Sequence, residues 1–111
     1  MNFTVEKNGK STVLKLHNRK LDATVSSELK AEFLVLCKPK VTEKLIIDLK
    51  EVQFCDSSGL SALLIADRKM KEHGGSVKLI NVHKKVASLI NISMLDRVFD
   101  IEETTAHAAK H

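Results

Sequence analysis

Residues 45–63 read LIIDLKEVQFCDSSGLSAL, a short apolar run followed by a polar turn and the start of an amphipathic helix. The run 45–49 has the length and character of a central strand that is covered on both faces. After the turn, apolar residues recur on one helix face as far as Met70, and Gly74-Gly75 supplies the left-handed conformation that ends helices. The stretch therefore predicts a strand, a loop and a helix in that order.

Upstream of this stretch, the sequence predicts a β-hairpin and a helix. Residues 3–5 and 12–16 alternate apolar and polar side chains, and Asn8-Gly9 between them is a strong hairpin signal. Residues 24–37 carry an apolar stripe at helical spacing, which Pro39 ends. The chain therefore opens with two antiparallel strands and one helix.

Downstream, residues 77–80 predict a strand, residues 86–94 a third helix and residues 98–101 a last strand. Strands that alternate with helices along the chain pair in parallel, and the helices form right-handed crossovers between them. The predicted fold class is α/β, a mixed sheet of four to five strands with helices mainly on one face. Residues 1–103 would form the domain and residues 104–111 a C-terminal tail. The predicted interior comprises Leu14, Leu16, Phe33, Ile46, Leu49, Leu63, Met70, Leu79, Val86 and Leu89.

Composition excludes several function classes. The 111 residues fit one domain, and the net charge of +4 comes from lysines and arginines that are spread along the chain. With four Phe and neither Trp nor Tyr to stack on bases, we expect no direct binding of nucleic acid. The N-terminus has no apolar signal core, and the longest apolar run is too short to span a bilayer. The two separated cysteines suit a reducing compartment, so we expect a cytoplasmic protein without membrane insertion.

The polar turn Asp56-Ser57-Ser58-Gly59 is the candidate functional segment. Its simplest interpretation is helix capping, which needs one polar side chain. Two further polar residues, and a glycine that leaves the backbone bare, favour an approach by another protein. A helical wheel places Ala62 and Ile65 on the outer face of the helix, where they would extend a docking edge.

The segment FCDSSGLSALL at residues 54–64 resembles the signature of anti-sigma factor antagonists, which are bacterial STAS domain proteins. Leu21-Asp22-Ala23-Thr24 resembles a second stretch of that family, and residues 46–49 and 77–82 fall where the family has strands. The resemblance extends from Phe3 to Ile101.

The resemblance implies a switch. The unphosphorylated protein would bind an anti-sigma factor serine kinase, which itself binds ATP, and so release a sigma factor. Phosphorylation of Ser57 would end the binding, and a PP2C-type phosphatase would restore it. This chain has Arg19-Lys20 where the family usually has Gly-Glu before Leu-Asp, so two cations stand where relatives have an acidic residue near the phosphorylation site. The implied partner-binding residues are Asp22, Asp56, Ser57, Ser58, Gly59, Ala62 and Ile65.

Other interpretations stay open at this point. A stand-alone STAS protein can also be a subunit of a lipid-transport ATPase complex or of another stress-signalling assembly. Catalysis through Ser57 or Asp56 is disfavoured, because no histidine is predicted near the turn and neither a G-x-S-x-G elbow nor a P-loop is present. His107 and His111 have metal-ligand spacing, but no third ligand is predicted beside them. We therefore expect no catalytic residue, no metal and no cofactor.

Overall fold

A computed structural model describes residues 2–38 and 40–103. Seven strands, three α-helices and one 3₁₀ turn follow one another along this part of the chain. In order they are β1 (Phe3–Asn8), β2 (Ser11–Leu16), β3 (Lys20–Leu21), α1 (Ala23–Leu36), β4 (Lys44–Asp48), β5 (Phe54–Cys55), α2 (Ser57–Lys71), β6 (Ser76–Val82), α3 (Lys84–Ile92), the 3₁₀ turn (Leu95–Arg97) and β7 (Asp100–Glu103).

The main sheet has five strands in the order β1-β2-β4-β6-β7, which confirms the predicted fold class. β1 and β2 are antiparallel, and the other neighbours are parallel. The hairpin forms as predicted, but its turn lies one residue later: Asn8 pairs with Ser11, so the turn residues are Gly9, with a φ of +64°, and Lys10. The last strand begins two residues later than predicted, because the amides of Val98 and Phe99 donate to the Leu95 carbonyl and prolong the preceding turn.

A second, two-stranded sheet was not predicted. Its members β3 and β5 are two residues long and pair in parallel. Runs this short carry no detectable periodicity. They matter for function because each one leads directly into a helix, β3 into α1 and β5 into α2.

The core lies between one face of the main sheet and the helices. Leu45 and Ile47 on β4 are fully buried, whereas Ile46 between them is half-buried. The prediction that this strand is covered on both faces was therefore wrong, as was the placement of Ile46 in the core. Leu89 is also only partly buried, although it packs against the core. The other eight predicted core residues are buried.

Two features of the described ranges bear on function classes. No helix in them is long and apolar enough to cross a membrane. Nor do they bring three His, Cys, Asp or Glu side chains together as a metal site. The predicted tail, with His107 and His111, lies outside the described residues.

Candidate functional site

The polar turn lies beside the start of the first helix, because β3 and β5 are parallel neighbours. Leu21 is the register partner of Cys55, and the Asp56 amide donates to the Leu21 carbonyl at 3.2 Å. Each strand is followed by one aspartate and then by a helix. The structure therefore brings Asp22 and Asp56 to the same edge, at the N-termini of α1 and α2.

Both aspartates are helix caps. Oδ1 of Asp22 accepts hydrogen bonds from the backbone amide of Thr24 at 3.0 Å and from its hydroxyl. These bonds, aided by the charge of Lys20, hold the pKa of Asp22 below its usual range. Oδ1 of Asp56 accepts from the Gly59 amide at 3.1 Å. The capping interpretation therefore holds for both carboxylates.

Ser57 is left outside this capping arrangement. It is the first residue of α2, it is exposed, and its hydroxyl forms no hydrogen bond with any residue that the structure describes. Ser58 beside it is half-buried. Of the residues in the turn, Ser57 thus offers the most accessible nucleophilic oxygen to another molecule.

Gly59 does not face a partner. It is buried, and a Cβ added there would lie 2.2 Å from the Leu21 carbonyl oxygen and 2.8 Å from Sγ of Cys55. The glycine thus allows the first turn of α2 to pack directly on β3. The interpretation of Gly59 as bare backbone for a partner was wrong.

The outer face of α2 is narrower than the helical wheel predicts. Ala62 is fully buried, and Ile65 is half-buried against the core. The wheel treated the sheet as the only neighbour of α2, but α1 also packs along this helix and covers a second side. Ala62 is therefore not a docking residue, whereas part of Ile65 remains accessible. The accessible or partly accessible side chains of α2 from its first turn onward include Ser57, Ser61, Leu64, Ile65 and Arg68.

A cleft of about 620 Å³ opens beside the N-terminus of α1, between it, β5 and the first turn of α3. Arg19 lines it, and its guanidinium donates a hydrogen bond to Oε1 of Gln53 at 3.0 Å. This bond restricts the orientation of the Arg19 side chain. Lys20, also in the lining, is exposed. Sequence reasoning missed two further residues here, Phe54 and Lys85. The remaining lining residues are Asn18, Asp22, Thr24, Val25 and Gln53.

The exposure of Phe54 has a simple origin in the strand geometry. Successive side chains of a strand point to opposite sides, and its neighbour Cys55 occupies the core. Phe54 therefore points outward and remains 51% exposed. The sequence carries no signal for this orientation, because a two-residue strand shows no alternation that tells which of its side chains faces the core.

The described histidines have other partners than Ser57. His17 bonds Oε2 of Glu51 at 2.9 Å, and the His73 and His83 rings lie against the carbonyls of Cys37 and Lys50. Activating Ser57 as a nucleophile would require a base beside it.

Comparisons with known proteins agree with this architecture. A sequence model of the STAS domain matches residues 2–108. The anti-sigma-B factor antagonist of Bacillus subtilis (strain 168) is 30% identical over 87 residues, which are 69% of this chain and 80% of that protein. An anti-sigma-factor antagonist domain protein from Planctomyces limnophilus has a TM-score of 0.82 at 23% identity, over 96% of this chain and 93% of its own. The Bacillus cell fate determinant SpoIIAA in its phosphorylated form has a TM-score of 0.72 at 20% identity, over 98% and 97%. The chain belongs to the STAS domain family.

Proposed function

We propose that this protein is an anti-sigma factor antagonist whose binding to an anti-sigma factor serine kinase is switched off by phosphorylation of Ser57. The observation that carries the proposal is the state of that serine. Ser57 is exposed and not engaged in capping, although it lies between a cap residue and a buried glycine. The B. subtilis relative is named an anti-sigma-B factor antagonist, which supports the same function.

The helix start suits a phosphate. A phosphoserine carries about −1.5 to −2 charges and three acceptor oxygens. The N-terminus of a helix favours an anion, because its amides and dipole point toward it. Phosphorylation of Ser57 should therefore leave the fold intact, and the loss of partner binding must arise at the interface.

Three effects oppose binding of the phosphorylated form. The phosphate occupies space, it must lose water when the partner covers it, and it repels acidic groups. Asp22 and Asp56 place two carboxylates at this edge, and the charge of Lys20 acts against theirs. The Arg19 guanidinium is hydrogen-bonded to Gln53, so of the two cations Lys20 is the one whose side chain is free of such a bond. We infer that volume and desolvation contribute more here than in relatives that carry the acidic residue.

The proposed interface is smaller than the sequence suggests. It keeps Asp22, Asp56, Ser57, Ser58 and Ile65, and Gly59 and Ala62 act by shaping the helix that carries them. The kinase supplies the ATP site, a PP2C-type phosphatase removes the phosphate, and the exchange takes place in the cytoplasm. This protein is then the substrate of the two enzymes and has no catalytic residue of its own.

The test uses the purified anti-sigma kinase of the same organism with wild type, Ser57→Ala, Ser57→Asp and, as a matched control, Ser58→Ala. Intact mass after incubation with ATP should show one phosphoryl group on wild type and Ser58→Ala and none on Ser57→Ala. Calorimetry should show Ser57→Ala binding like wild type and Ser57→Asp binding at least about tenfold more weakly, a loss of about 1.4 kcal/mol. Equal affinities of wild type and Ser57→Asp, with the phosphate on another residue, would contradict the proposal.

A further inference from the structure

A groove continues from the Ser57 edge along β5 to the outer side of α3. Besides the cleft of about 620 Å³, a second cleft of about 330 Å³ opens there. Gln53, Phe54 and Lys85 line both, so the Phe54 ring stands between them as a shared ridge. We call the two clefts together the Phe54 groove. The second cleft is completed by Cys55, Ser88, Leu89 and Ile92.

The floor and one wall of this groove are apolar. Phe54 is 51% exposed, and Ile92 at the end of α3 is 79% exposed. Leu89, one helical turn before Ile92, is only partly buried. A single exposed apolar residue on a protein surface is ordinary. Here three of them line one concave surface, and such a surface is typical of a contact with another protein.

The rim of the groove is basic. Arg19, Lys20 and Lys85 line it, against the single carboxylate of Asp22, whose Oδ1 is engaged by Thr24. Lys84 lies beside Lys85 in an adjoining small cleft. Within residues 2–38 and 40–103, neither Lys20, Lys84 nor Lys85 forms an ion pair. An apolar surface with unneutralised cations around it is complementary to an apolar side chain flanked by carboxylates.

We propose that the Phe54 groove binds an acidic segment of the anti-sigma kinase, with an apolar side chain of that segment packed on Phe54 and Ile92 and its carboxylates beside Lys20 and Lys85. This proposal rests on the proposed function and adds a second contact to it. The groove borders the Ser57 edge, because Asp22 lines the first cleft and Cys55, which immediately precedes Asp56, lines the second. One partner can therefore cover the groove and the Ser57 edge at once. The contacts in the groove would contribute to its affinity without being altered directly by phosphorylation.

The experiment measures the affinity of the purified kinase for Phe54→Ser and Lys85→Glu, each with a matched control. Val35→Ser removes an equally exposed apolar side chain near the far end of α1, and Lys7→Glu makes the same charge change at the opposite end of the sheet. Phe54→Ser should bind about tenfold more weakly or worse, as buried aromatic anchors do, and Val35→Ser like wild type. Lys85→Glu should lose more affinity than Lys7→Glu at about 0.1 M salt, and this difference should shrink at about 1 M.

Folding and function are controlled in the same series. Urea unfolding should give similar midpoints for all variants, and Ile92→Ser serves as a second apolar variant expected to weaken binding. Equal binding by wild type and Ser57→Asp would overturn the proposed function. A weak Ser57→Asp together with wild-type affinities of Phe54→Ser, Ile92→Ser and Lys85→Glu would overturn the groove proposal alone. The groove proposal also fails if these variants alter only self-association, or only pelleting with phosphatidylglycerol vesicles, and leave the kinase affinity unchanged.

Discussion

Gly59→Ala tests the contact that positions the candidate site. The added methyl would lie 2.2 Å from the Leu21 carbonyl oxygen, a backbone atom, and 2.8 Å from both Sγ of Cys55 and Cγ of Leu21. The Leu21 carbonyl cannot easily move away, because it accepts the hydrogen bond from the Asp56 amide. Accommodating the methyl therefore requires that β3 and the first turn of α2 separate.

The size of the effect follows from two opposing contributions. Replacing glycine by alanine inside an exposed helix stabilises it by about 1 kcal/mol. Overpacking a tight interior costs about 1–3 kcal/mol, and contacts this short with backbone atoms belong near the upper end. We therefore expect a net loss of about 2 kcal/mol. For a domain of this size, that corresponds to a melting temperature lower by about 8 °C.

Urea unfolding followed by circular dichroism measures this change, with Ser61→Ala in the same helix as the control. Ser61 is half-buried, and its side chain bonds no described residue, so the control should gain about 0.5 kcal/mol from helix propensity. A Gly59→Ala protein as stable as wild type, or more stable, would refute the close packing of α2 on β3.

Two further predictions concern the same edge and the cysteines. Asp56→Ala removes the acceptor of the Gly59 amide and should cost about 1 kcal/mol in urea unfolding, whereas Ser58→Ala, which removes no such bond, should cost much less; equal losses would show that Asp56 does not cap α2. Burial raises the pKa of the Cys37 thiol to about 11, and burial with the nearby Asp56 charge raises that of Cys55 to about 12. A raised pKa leaves less thiolate at pH 8, so both buried cysteines should react with a disulfide reagent far more slowly in the native protein than in urea; rapid native reaction of either one would contradict its burial.

Much of the fold follows from local patterns. The alternating residues and Gly9 located the hairpin, although its turn residues are Gly9 and Lys10 and not the predicted Asn8-Gly9 pair. The apolar stripes and the glycine pair after α2 predicted the helices to within two residues at most of their ends. The strand 45–49 was found by its apolar character, although its coverage on both faces was wrongly inferred. A run of apolar residues does not reveal whether one or both faces of the strand are covered. Ile46 is half-buried and Ile47 is buried, yet the two are the same residue type in the sequence.

The sequence located the candidate site but did not predict which of its residues are accessible. Gly59 is buried because it packs on β3, and a strand of only two residues cannot be recognised from sequence periodicity. Whether Ala62 is covered depends on α1, which lies more than twenty residues away in the chain and packs against α2 only after folding. The Phe54 groove combines β5 with α3 and could not be assembled from either element alone. Long-range contacts of this kind are what single-sequence patterns omit.

The paired strand–aspartate–helix units favour the proposed charge switch at Ser57. Each helix N-terminus carries about half a positive charge, and each is already capped by its own aspartate. The fold therefore does not depend on the Ser57 hydroxyl, and Ser57 is available to carry a phosphate. Two helix N-termini beside each other would offset part of the repulsion that Asp22 and Asp56 exert on the added charge, so most of the cost of phosphorylation falls on the partner that covers the edge. With Lys20 in place of the usual acidic residue, that cost should depend less on salt concentration than in relatives, because volume and desolvation are not screened.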